Sequence, residues 1–194
     1  MPLSLGSSDE IAKSVQMQLK LDNCSFERFK HERHPAPHNA TSIPPLDRQD
    51  GAVYVFSLSD KYLQEHQLRD ASRRVLKVGK TSGDSRLRKD HYNPLVRSSL
   101  ARSLLAHRSL WSALGIGHID TSDVKQWLED NTDRDIIRIS LADYDLFGTN
   151  LENYIKGITG PYFEGSTGKI VSVRGITSAV VTKAFLNGTT DKMP

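Results

Sequence analysis

Residues 51–58 read Gly-Ala-Val-Tyr-Val-Phe-Ser-Leu, and residues 75–81 read Val-Leu-Lys-Val-Gly-Lys-Thr. The first run is short, β-branched and aromatic, and apolar at odd and even positions alike. That is the composition of a strand buried on both faces. The second run is stopped by Gly79. The two read as an antiparallel hairpin whose connection is enlarged by the polar segment 60–73, with a helical turn expected around 62–68. Downstream the pattern predicts a short helix over 84–92, ended by Asn93-Pro94. A long helix follows over 95–114, with Leu100, Leu104, Leu105 and Trp111 toward one face. Gly115 and Gly117 break it. Thr121-Ser122-Asp123 then caps a helix over 124–130 that turns Val124, Trp127 and Leu128 inward. A third strand is expected over 135–141 and a last helix over 146–158, with Leu151, Tyr154 and Ile155 as core positions. This order defines a small α+β domain: a three-stranded antiparallel sheet flanked by helices.

The flanks are different. Residues 1–49 read as an N-terminal arm, with a short helix through Leu19 capped by Ser7-Ser8-Asp9-Glu10. A stretch carrying His31, His34, Pro35, Pro37, His38, Pro44 and Pro45 follows, too proline-rich for a helix or a central strand. The three histidines invite a metal reading, but the intervening prolines give them no shared helical or hairpin face. Residues 50–165 form the domain proper. Residues 166–194 form a C-terminal extension with strand-like pieces at 170–173 and 179–181.

Composition narrows the function. The chain has 194 residues, 26 basic against 23 acidic, for a net charge of +3, and 37% are apolar. That suits one compact domain with polar extensions. The single cysteine, Cys24, excludes a disulfide framework and a cysteine-rich zinc module. No apolar run is long enough to span a membrane, and Met1 to Ser8 has no secretory character, so a soluble, cytoplasmic protein is expected. Charge is segregated along the chain. From Arg69 to Arg108 there are eleven basic and three acidic residues; from Asp120 to Glu152 there are three basic and nine acidic. Such a dipolar pattern suits a protein that meets a polyanion on one side, or two solvated faces of opposite sign that touch each other.

Four positions carry candidate chemistry. Tyr54 lies mid-strand. Gly79-Lys80-Thr81 ends the second strand just before a basic helix holding Arg86, Arg88, Lys89 and His91. Glu152 lies in the first half of the last helix. Singly these are a core tyrosine, an incomplete phosphate-loop fragment lacking its leading glycine, and a solvated glutamate. Together they resemble the GIY-YIG nuclease family. Val53-Tyr54-Val55 stands at the Gly-Ile-Tyr strand, and Lys77-Val78-Gly79-Lys80-Thr81 at the Tyr-Ile-Gly-Lys-Thr strand. Arg86 and His91 stand at the helix that carries the family's arginine and histidine. Leu151-Glu152-Asn153, followed by Gly160-Pro161-Tyr162-Phe163-Glu164, stands at the closing motif. The resemblance spans residues 51–165. The stretch from Lys80-Thr81 through His91-Tyr92-Asn93-Pro94, with Asn131-Thr132, looks most like a bacterial subgroup of that family.

What the resemblance implies is hydrolysis of DNA phosphodiester bonds with one divalent cation, Mg²⁺ or Mn²⁺. Glu152 would be the sole protein carboxylate on the metal, which keeps waters and borrows phosphate oxygens. Arg86 would hold a non-bridging phosphate oxygen, with Arg88 as the alternative register. Tyr54 would take a proton from the attacking water, given cationic company from Lys77, Lys80 or His91, with His91 alternatively relaying that proton. Lys80, Arg88, Lys89, Arg97 and Arg102, with Arg108 further on, are expected to meet the nucleic-acid backbone rather than read bases. Two departures stand out. Lys77 replaces the second motif's tyrosine, and it could act as base or phosphate contact after a downward pKa shift, or leave activity weak. Glu164 replaces the terminal asparagine, a supporting place around the site. An alternative reading is a nucleic-acid-binding module that kept the scaffold and lost catalysis, and another is an interaction protein held by its charged faces. Cutting both strands of a duplex calls for a homodimer or two sequential visits.

Overall fold

The computed structural model describes residues 13–14, 30–68, 74–164 and 169–170. Of the arm's expected helix only residues 13–14 fall within these, and they are helical; of the strand-like pieces of the C-terminal tail only Ile170 does, in a strand, while Cys24 and the rest lie outside. Six strands are seen among the described residues: β1 (Lys30–His34), β2 (Asp50–Leu58), β3 (Val75–Thr81), β4 (Thr132–Ser140), β5 (Phe163–Glu164) and β6 (Lys169–Ile170). The helices are α1 (Asp60–Glu65), α2 (Asp84–Arg88), α3 (Leu100–Ala106), α4 (Val124–Asn131) and α5 (Leu141–Thr159). The strands form one sheet in the order β1-β4-β2-β3-β5-β6. β1, β4, β2 and β3 run antiparallel to their neighbours, whereas the two-residue β5 lies parallel to β3.

The class is α+β, but the expected three strands are too few. β1 escapes sequence reading because Lys-His-Glu-Arg-His has no apolar alternation. It is held on β4 by charge instead: His31 Nε2 lies 2.8 Å from the Asp135 carboxylate, Arg33 2.9 Å from Asp133, and Arg138 Nε 3.1 Å from Glu32. Three acids of the acidic stretch, Glu129, Asp133 and Asp135, are buried and bind residues 31–40 rather than forming a solvated face. Residues 40–46 also reach the core, through Ala40, Ile43 and Leu46.

β2 is buried on both faces because each face has its own cover. Ala52, Tyr54, Phe56 and Leu58 join Leu76 and Ile136 under the helices α1, α3 and α4. Val53 and Val55 join Val75, Val78, Ile137 and Ile139 under Tyr144, Leu151 and Ile155 of α5. The expected helix over 95–114 is in fact α3 followed by two 3-10 turns, 108–110 and 112–114. α3 starts only where the Ser99 hydroxyl caps it by accepting from Arg102 N. It stops at His107, beyond which Trp111 folds back and donates its indole N–H to the Leu104 carbonyl at 2.9 Å. Strand β4 and helix α5 meet earlier than the sequence pattern suggests. Ser140 ends the strand and caps the helix, its hydroxyl accepting from Asp143 N at 3.1 Å. No helix among the described residues is long and apolar enough to cross a membrane.

Candidate active site

The site is built on the β2–β3 pair. Tyr54 stands opposite Gly79 in register, and the missing side chain of Gly79 is what lets the phenol lie across β3. A Cβ there would fall 2.3 Å from the Tyr54 hydroxyl oxygen. The Arg86 guanidinium, brought in by α2, lies close enough to that hydroxyl to bear on its ionisation. Burial raises the Tyr54 phenol above its ordinary value of 10.0, and the Arg86 and Arg134 cations pull it down only in part. The Glu152 carboxylate adds to the rise, so it lies within electrostatic reach of the phenol.

Lys77, two residues before Gly79, is buried on the same face. Its Nζ donates to the Ser98 carbonyl at 2.8 Å. Arg86 binds the same residue, through the Ser98 hydroxyl and, at 3.3 Å, its carbonyl. Burial pushes the Lys77 amine down to about 8, helped by the Arg86 and Lys156 cations and opposed by Glu152. Glu152, one turn before Lys156 on α5, pairs with its ammonium at 2.8 Å. Tyr54, Lys77, Arg86, Glu152 and Lys156 therefore lie within electrostatic reach of one another, three basic groups and one carboxylate, which is paired with Lys156. Such an excess of positive charge suits an anion.

His91 reaches the cluster as a neutral ring. It is fully buried, 4.7 Å from the Tyr54 ring and 5.3 Å from that of Phe56 between centroids. Burial, then Lys77, Arg134 and Arg86, hold its pKa well below 6.5. It therefore does not supply the cation expected beside Tyr54. Neither does Lys80, which points to the opposite face with its Nζ 4.8 Å over the Tyr144 ring. The cation that sequence reasoning missed is Arg134, at 0% exposure. Its guanidinium lies 4.7 Å from the Phe56 ring centroid and 5.8 Å from those of Tyr54 and Tyr92. It donates to the Tyr92 hydroxyl at 3.4 Å, while its Nε and second amino group have no hydrogen-bond partner among the described residues.

Of the two candidate arginines, Arg86 faces Tyr54. Arg88 turns away to Asp84 at 3.3 Å and to the Thr41 carbonyl at 3.2 Å, where it lines a cleft with Lys89 and Lys125. Lys89, Arg97 and Arg102 are exposed, and Arg108 rests on the Trp111 ring at 5.3 Å. Arg97 lies before α3 and Arg108 after it, so the three arginines do not share a helix. Glu164 ends β5; its side chain lies outside the described residues.

The histidines of the arm are held apart, on Asp135, Glu32 and the Tyr92 hydroxyl. No group of three or more histidine, cysteine, aspartate or glutamate side chains among the described residues could hold a metal ion. A protein-caged metal does not fit. One cation on Glu152 does, provided that Lys156 gives way and that water and phosphate oxygens complete the shell, the arrangement magnesium favours. Comparison of the chain with protein-family models, curated proteins and solved structures found no match.

Proposed function

We propose that this protein is a metal-dependent endonuclease of the GIY-YIG type, a cytoplasmic enzyme that hydrolyses DNA phosphodiester bonds in restriction, defence or mobile-element biology. What supports the reading is that Arg86 from α2 and Glu152 from α5 both lie within electrostatic reach of the Tyr54 phenol on β2, among an excess of basic groups. Arg86, anchored by Ser98, holds a non-bridging phosphate oxygen where charge builds in the transition state. Lys156 adds to that field. The Tyr54 phenol, kept protonated by burial, donates to the phosphate and fixes its orientation. Glu152 is the residue that would hold Mg²⁺ or Mn²⁺, whose contribution is to stabilise the leaving oxygen.

The test is cleavage of plasmid and single-stranded DNA with either metal. Glu152→Ala and Arg86→Ala are each expected to abolish cutting while DNA binding changes less than about threefold. Full activity in the glutamate variant would remove the metal assignment. Lys77 at a tyrosine position favours a second reading, a binding module without catalysis. In that case the wild type binds DNA with a steep loss of affinity as salt rises, yet cuts nothing.

A further inference from the structure

Lys77 is the residue whose surroundings the nuclease reading leaves unexplained. The residue is 2% exposed, and the hydrogen-bond partner of its amine is a neutral carbonyl, that of Ser98. No carboxylate among the described residues lies within ion-pair distance of it, and the carboxylate of Glu152 is taken by Lys156 at 2.8 Å. The groups that bear on it are Arg86 from α2, Lys156 and Glu152 from α5, and the neutral His91 from the turn after α2. Compared with a lysine in water, a buried ammonium among cations, with one neutral acceptor, gives up its proton more readily. Once deprotonated, the amine donates one N–H to Ser98 and keeps a lone pair. Through Ser98 it is fixed beside Arg86, the group that would grip the phosphate.

We propose that Lys77, as the neutral amine, is the general base of the hydrolysis, and that Tyr54 is not. This deepens the nuclease reading and rests on it. The attacking water's O–H bond breaks toward Nζ as its oxygen bonds to phosphorus. The bond from phosphorus to the leaving sugar oxygen breaks with its electron pair, and that alkoxide takes a proton from solvent. The new ammonium then returns its proton to solvent. Energetically the two candidates differ widely. An amine titrating at about 8 is neutral in roughly a tenth of molecules at pH 7, whereas a phenol above 10 is ionised in fewer than about one in a thousand.

Two measurements on the full-length protein test this. The first is a ¹⁵N titration of the Lys77 amine by NMR, assigned by its loss in Lys77→Arg. A midpoint near 8 is expected, and one near 10.5 overturns the proposal. The second is the pH profile of single-turnover DNA cleavage with Mn²⁺. The wild-type rate is expected to rise about tenfold per pH unit and level off near pH 8. Lys77→Met and Lys77→Arg are both expected to lose about 100-fold at pH 8 together with that inflection, a typical loss for a general base. Recovery of rate in Lys77→Arg would show a cationic phosphate contact and overturn the base. Wild-type protein that cuts nothing at any pH overturns the nuclease reading itself. Cutting with an unchanged profile in Lys77→Met overturns the base alone.

Discussion

At the scale of single residues, a buried amine held down to about 8 destabilises the fold that contains it. The unfolded lysine titrates at 10.5, so between these values the folded state binds fewer protons and stability rises with pH. Below pH 8 the full cost, about 3 kcal/mol, is present; above 10.5 it is gone. Lys77→Met should therefore be about 2–3 kcal/mol more stable than wild type at pH 7, allowing for the lost bond to Ser98. The advantage should vanish by pH 10.5, and urea denaturation at the two pH values measures it. A residue that weakens the fold and is replaced with a gain in stability is what a functional site, rather than a structural one, predicts. Tyr54, Arg86, Lys77 and Glu152 were legible as candidates because short motifs kept their spacing. Arg134 was not. Flanked by Asp133 and Asp135 in sequence, it reads as part of a charged surface run, and only the register that places it opposite Phe56 shows it inside.

Elements decide which of these residues can meet. The β2–β3 ladder puts Gly79 under the Tyr54 phenol, so Gly79→Ala forces a Cβ into the ring edge, 2.6 Å from Cζ and 2.8 Å from Cε2. Overpacking of this kind costs about 1–3 kcal/mol and displaces the hydroxyl from Arg86. The expected outcome is a folded protein by circular dichroism, a lower urea midpoint, and cleavage reduced at least tenfold. The hairpin itself was plain in the sequence, since β-branched and aromatic residues bounded by turns leave little choice. The region 95–114 was not, because Leu100, Leu104 and Trp111 all reach the core while only the first two do so from a helix. Periodicity records burial and not the backbone path that achieves it.

For the whole molecule, acid is the expected weakness. His91, His38 and His34 all have pKa values below the ordinary 6.5, His38 at about 4. They are neutral when folded and take up protons when unfolded, so the stability that they contribute is present above pH 6.5 and is lost as pH falls below it. A thermal melt series should show a falling midpoint from pH 6.5 toward 4. His38→Gln should flatten that slope, because the Tyr92 hydroxyl 2.7 Å from the ring of His38 then faces a side chain that does not ionise.

The arm's contribution has a practical consequence for anyone trimming this chain. Cutting it at Asp50, where the apolar pattern begins, removes β1 and bares five β4 residues, 134–138, that bond to it. It also strips the side-chain partners from Asp133, Asp135 and Arg138, each buried. An open strand edge of that kind, with unpaired N–H and C=O groups, recruits further chains. A fragment beginning at residue 50 should emerge from expression as insoluble material, whereas one beginning at residue 30 should stay in solution, and a simple pellet-against-supernatant assay tells the two apart.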